Sequence, residues 1–156
     1  IAGRLAADAL RVAAWRPRAA NEADGRTLPH EADWLRTAVH LDKGCYRGQE
    51  TVAKVHNLGH PPRRLVSLQL DGSDGELPQP GAVVYAGDDV VGTVTSVARH
   101  HDEGPIALAF VKRTTAVDAP LTVGEERIAA AQETIVPPDA GSTANVPRLP
   151  RLSRRR

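Results

Sequence analysis

The stretch Arg64-Leu65-Val66-Ser67-Leu68-Gln69-Leu70-Asp71 fixes the character of the second half of the chain. Val66, Leu68 and Leu70 fall on one side, and Ser67, Gln69 and Asp71 on the other. That two-residue period predicts a strand with one face buried. Downstream, Val83–Ala86 and Val90–Ala98 flank Gly87-Asp88-Asp89, a short connection of the kind that closes a hairpin. Ile106–Lys112, Leu121–Val123 and Arg127–Ile135 extend the series. Six short strands with regular turns predict a small antiparallel β-barrel or sandwich over residues 62–136.

Upstream of Pro62 the spacing changes. Leu5, Ala6, Ala9, Leu10, Ala13 and Ala14 are spaced for one face of a helix over residues 2–15, and Arg16-Pro17-Arg18 stops it. Residues 19–28 read as a polar loop, and Asp33–Leu41 as a helical turn followed by a strand. Val52, Val55 and Leu58 predict a helix over Gln49–Leu58, closed by Gly59 and Pro61-Pro62. The expected fold is therefore α+β: an incomplete α/β segment over 1–61, with an apolar face left uncovered, and then the barrel. Residues 137–156 combine five Arg with Pro and few apolar residues, so they are expected to be a disordered tail.

Composition narrows the function. With 156 residues and one Cys, a disulfide framework, a Cys-built zinc site and a self-ligated iron–sulfur cluster, which takes about four thiolates, are excluded. No apolar run is long enough for a membrane span and no signal peptide opens the chain, so a soluble, cytoplasmic protein is expected. Met is absent, and Ile1-Ala2-Gly3 runs into a helical pattern without a cap signal, so the chain is expected to be a fragment of a longer protein. Five arginines against Asp139 give the last twenty residues +4, which leaves −3 for the rest of a chain whose net charge is +1. A mildly acidic body argues against nucleic acid as a partner.

One loop carries chemistry. In Asp42-Lys43-Gly44-Cys45-Tyr46-Arg47-Gly48-Gln49-Glu50 a thiol lies between two glycines, with a cation two residues away on each side, just before a helix. Cations and a helix N-terminus both favour the thiolate, the reactive form of Cys. Against this stands the ordinary behaviour of a lone Cys as a small buried hydrophobe. His56 and His60 lie four residues apart, yet no acidic residue or second thiol stands at zinc-motif spacing, so no metal site is assigned. Gly44–Gly48 lacks the Gly-Lys-Ser/Thr ending of a phosphate loop. Whether Cys45 meets a His as a nucleophile–base pair is open at this level.

Lys43-Gly44-Cys45-Tyr46-x-Gly48-Gln49-Glu50 resembles the signature of the YgfZ branch of the YgfZ/GcvT family, folate-binding relatives of the glycine-cleavage aminomethyltransferase. Ala9-Leu10-Arg11-Val12 with Pro17-Arg18 resembles the helix that precedes this signature. Gly92-Thr93-Val94-Thr95-Ser96 and Ala107-Leu108-Ala109-Phe110-Val111 resemble the family's C-terminal barrel. The likeness covers roughly residues 2–133, corresponding to the C-terminal half of a family member. It implies a six-stranded barrel of the aminomethyltransferase C-terminal type and a tetrahydrofolate cavity walled by several domains. It also implies a role supporting iron–sulfur enzymes, with iron–sulfur client proteins as partners. By the same resemblance Cys45 is the candidate catalytic residue, and Lys43, Tyr46, Gly48, Gln49 and Glu50 are candidate folate contacts. Aminomethyltransferases carry Ala-Arg-Asp where this chain has Ala6-Ala7-Asp8, which disfavours glycine-cleavage activity. The alternatives are a tetrahydrofolate-dependent aminomethyltransferase-like one-carbon transferase, or a barrel that serves only as an interaction module.

Overall fold

The computed structural model describes residues 3–73 and 75–144. Three helices precede six strands: α1 (Arg4–Ala13), α2 (Ala19–Glu22), α3 (Gln49–Leu58), β1 (Arg63–Leu70), β2 (Val83–Ala86), β3 (Asp89–His100), β4 (Gly104–Lys112), β5 (Leu121–Val123) and β6 (Ile128–Thr134). The strands close into an antiparallel barrel in the order β1-β4-β3-β2-β5-β6, with β1 also paired to β6. The α+β class and the six-stranded barrel expected from the sequence are what the chain forms.

Alternation in β1 sends Val66, Leu68 and Leu70 into the barrel, where they meet Ala107, Ala109 and Val111 of β4. Small Ala side chains beside Val and Leu suit the narrow interior of a six-stranded barrel. β4 is buried on both faces, because Ile106, Leu108 and Phe110 form a second core outside the barrel with Leu65, Ala9, Val12, Ala32 and Val136. At Gly92, where β3 crosses β4, a Cβ would stand 2.2 Å from the Phe110 carbonyl oxygen. No larger residue fits without moving a strand.

α1 lies across β3 and β4 and buries Ala9 and Val12. Its larger apolar residues, Leu5 and Leu10, are 86% and 55% exposed, so the helix packs through small residues and leaves the large ones to solvent. Two expectations for the first 61 residues are corrected. Ala19–Glu22 is a short helix within the stretch read as loop, with the Glu22 carboxylate reaching back to accept the Arg18 N–H at 2.6 Å. The strand expected near Leu41 does not form, so among the described residues this segment is helix and turn, not α/β. A closed barrel has no free edge for another strand to join.

A further correction concerns the C-terminus. Residues 137–144, expected to be part of a disordered tail, are ordered against α3: Ser142, Thr143 and Ala144 donate backbone N–H groups to the carbonyls of Val55, His56 and Asn57. The remainder of the expected tail, 145–156, lies outside the described residues. No helix among the described residues is long and apolar enough to cross a membrane.

Candidate functional site

Residues 42–48 form a turn that delivers the chain into α3. Gly48 is the residue before the helix and takes a left-handed backbone (φ 78°, ψ 8°), which L side chains rarely adopt. The Gln49 N–H bonds the Tyr46 carbonyl at 3.2 Å, and the Val52 N–H bonds the Gly48 carbonyl at 3.0 Å. Gly48 is thus required by conformation. Gly44 is not required by packing, since a Cβ there would meet nothing within 4 Å.

The turn presents its side chains outward. Lys43, Cys45, Arg47 and Glu50 are exposed, and Tyr46 and Gln49 are partly so. Cys45 is a free thiol on the surface, which removes the buried-hydrophobe explanation of a lone Cys. Among the described residues no side chain of Lys43, Cys45, Tyr46, Arg47, Gln49 or Glu50 has a hydrogen-bond or ion-pair partner. The candidate positions Lys43, Cys45, Tyr46, Gly48, Gln49 and Glu50 therefore stand together on the turn and the first residues of α3. The cleft between α2 and the barrel, about 420 Å³, is lined by residues including Asn21, Asp24, Arg63, Phe110 and Lys112.

Upstream of this turn, residues 22–31 are tied to the barrel by a set of polar groups that the sequence did not single out. Glu31, 1% exposed, accepts Arg63 Nε at 3.1 Å and Nη2 at 2.9 Å on its two oxygens, and the Leu28 N–H at 3.0 Å. The Leu65 N–H bonds the Glu31 carbonyl at 2.8 Å, which fixes the segment to β1. Glu22, 2% exposed, accepts the hydroxyls of Thr95 (2.9 Å) and Ser96 and lies 3.7 Å from Arg11 Nη1. Asp24 is held at a pKa of about 2, chiefly by the Arg26 N–H, then by the Thr27 hydroxyl, with Arg63 adding to it. Arg63 also lies over the Phe110 ring, 5.0 Å from its centre. These carboxylates sit in a stretch whose polarity reads as solvated loop, and no spacing marks them out.

His30 adds an unusual element. It is 2% exposed, and among the described residues neither ring nitrogen has a hydrogen-bond partner. Its ring faces His56 of α3 at 6.0 Å between centres. Burial depresses its pKa, the neighbouring His56 adds to the effect, and Glu31 opposes it. His56 therefore packs beside His30 and not with Cys45 in a metal-binding group. Among the described residues the ligand-capable cluster is His100, His101 and Asp102 on the exposed β3–β4 turn, where His101 already bonds Asp102 at 2.9 Å.

With this geometry in hand, similarity to known proteins decides the family. Residues 63–136 match the glycine cleavage T-protein C-terminal barrel domain, the same span as β1 to the end of the barrel. The barrel belongs to the YgfZ/GcvT family. The chain is 32% identical over 124 residues to the mitochondrial iron–sulfur cluster assembly factor IBA57 of Mus musculus, covering 77% of this chain and 33% of that protein. It is 34% identical over 120 residues to an aminomethyltransferase of Streptomyces avermitilis, covering 75% of this chain and 31% of the relative. A chloroplastic protein of Arabidopsis thaliana, described as a transferase, is 30% identical over 126 residues, covering 80% of this chain and 28% of its own length. The chain thus spans about a third or less of the length of these relatives. In fold it is similar to the glycine cleavage system aminomethyltransferase T of Bartonella henselae, with a TM-score of 0.65, 20% identity, and coverage of 89% of this chain and 37% of that one.

Proposed function

We propose that this chain contributes the Lys43–Glu50 wall of a folate-binding accessory protein that supports assembly or repair of iron–sulfur enzymes. The observation that carries the reading is the turn itself. A stretch of eight residues places a free thiol and two cations on the surface beside a partly exposed aromatic ring, and their side chains have no hydrogen-bond or ion-pair partner among the described residues. A structural loop would be expected to spend such side chains on its own packing. Similarity to a cluster assembly factor supports the same branch, and Ala7, where aminomethyltransferases carry Arg, weighs against the transferase alternative.

Tetrahydrofolate is the ligand implied by the family. Its carboxylates and aminobenzoyl ring suit Lys43, Arg47 and Tyr46, which have no side-chain partner among the described residues. The residues of this turn supply one wall of such a site. In the full-length protein, Lys43 and Gln49 are assigned to polar contacts with the ligand, Gly48 to the turn that aims them, and Cys45 to the reactive position beside it. The single Cys cannot hold a cluster, so iron–sulfur client proteins are partners and not cargo.

The test has two arms. Tetrahydrofolate is titrated into the full-length protein and its Lys43→Ala variant, and client iron–sulfur enzyme activity is measured in cells that carry only the Cys45→Ser variant. Weaker folate binding by the first and loss of client activity with the second are expected. A Ser variant that maintains the clients as well as the wild type would sink the role of Cys45.

A further inference from the structure

We propose that residues 137–144 are a clasp that positions α3 and, through it, the Lys43–Glu50 turn; the functional half of this inference rests on the reading above. α3 has ten residues, and Val52 is its one buried position. A helix this short is marginal in isolation, and a single buried Val anchors it weakly. Its last carbonyls also lack donors within the helix. The helix end supplies one, from the Gly59 N–H to the Val55 carbonyl at 3.2 Å.

The clasp adds a second donor to the Val55 carbonyl and supplies the next two carbonyls. Ser142 N–H bonds the Val55 carbonyl (3.2 Å), Thr143 N–H the His56 carbonyl (2.8 Å), and Ala144 N–H the Asn57 carbonyl (3.2 Å). The Thr143 hydroxyl adds a second bond to the His56 carbonyl at 2.9 Å. His60 Nδ1 donates to the Ala140 carbonyl at 2.9 Å, from just beyond the helix. Three successive donors on three successive carbonyls form a rail along the helix end, and an ordinary cap does not extend so far.

The other end of the clasp is tied to the barrel. Val136 N–H bonds the Leu65 carbonyl on β1 at 3.1 Å, and Arg113 Nη1 bonds the Pro138 carbonyl at 3.4 Å. The barrel thus holds the clasp, the clasp holds the C-terminus of α3, and the N-terminus of α3 carries the turn with Cys45. Gly141 is the critical residue. It has φ 92°, and a Cβ there would stand 2.3 Å from the Gly59 oxygen and 2.8 Å from the Val55 oxygen, both backbone atoms. No other residue lets the two segments approach this closely.

The experiment measures amide hydrogen exchange in the wild type and Gly141→Val. Exchange of the α3 amides from Val52 to Leu58 is expected to rise by at least about tenfold, while β1 and β4 amides keep their protection. Unchanged α3 protection would overturn the clasp. In case Gly141→Val disturbs more than the clasp, the full chain is also compared with chains ending at Ala144 and at Val136; only the last is expected to free α3. Tetrahydrofolate affinity of the full-length wild type and Gly141→Val then reads the functional half. At least a tenfold loss in the variant is expected, and equal affinities with a freed α3 would overturn positioning. A wild type that binds no folate would sink the proposed function, and the exchange result would still decide the clasp.

Discussion

At the scale of single residues, the two groups that matter most are opposites in environment. Cys45 is an exposed, free thiol. Cys45→Ser should therefore change stability by no more than about 0.5 kcal/mol, as is usual for a surface position, while abolishing function in the full-length protein. Thermal melting paired with client-enzyme activity reads both halves, and a large melting change with activity intact would reverse the assignment. His30 is the converse, buried with both nitrogens unpartnered among the described residues. Its pKa lies below the ordinary 6.5, so the unfolded chain binds a proton that the folded chain resists. Its contribution to stability is complete above about pH 6.5 and falls away as the pH drops through that value towards the depressed folded pKa. Melting curves at pH 7.5 and 5.5 should show this loss, and His30→Leu should flatten it. Equal pH dependence in the two proteins would remove His30 from the argument. Cys45 could be found in the sequence because its neighbours were wrong for a core residue. His30 could not, since nothing near Pro29-His30-Glu31 signals which side chains turn inward.

At the scale of elements, the strands were legible and the docking groups were not. Alternation in Arg64–Asp71 and the glycine-bearing turn at 87–89 report directly on backbone conformation, so β2 and β5 match their expected bounds and the other strands fall within about three residues of them. The attachment of residues 3–61 adds two buried carboxylates to its apolar contacts, and a Glu in a polar stretch reads as solvated whatever it later binds. The clasp was hidden for a related reason: its contacts use backbone N–H groups of Ser142, Thr143 and Ala144, which leave no apolar pattern. Glu31 offers the clearest test of an element held by one side chain. Glu31→Ala removes both partners of the Arg63 fork and the acceptor of the Leu28 N–H. Breaking a buried pair from one side costs about 3 kcal/mol or more, because the other partner is left uncompensated. Arg63 is one-third exposed and keeps Asp24 at 3.2 Å, so it recovers part of this and about 2–3 kcal/mol is expected from denaturant unfolding. A change below about 0.5 kcal/mol would show that the segment docks through its apolar contacts alone.

At the scale of the whole molecule, the division at residue 62 is a boundary in secondary structure and not in packing. The barrel interior is filled by its own strands, but Leu65, Ile106, Leu108 and Phe110 point outward into the second core, where Ala9, Val12 and Ala32 cover them. Burying each such side chain is worth about 1.5–3 kcal/mol, so stripping even part of that cover costs several kcal/mol. A domain of this size has only about 5–15 kcal/mol in total. Residues 62–136 expressed alone should therefore melt well below the full chain, bind a hydrophobic dye, and lose the partners of Arg63 in the same step. Supplying residues 1–61 in trans should restore part of the stability if α1 and the Glu31 fork can dock without the covalent link. A 62–136 segment that melts with the full chain and binds no dye would show that the outer core is dispensable, and that the barrel carries its stability entirely within.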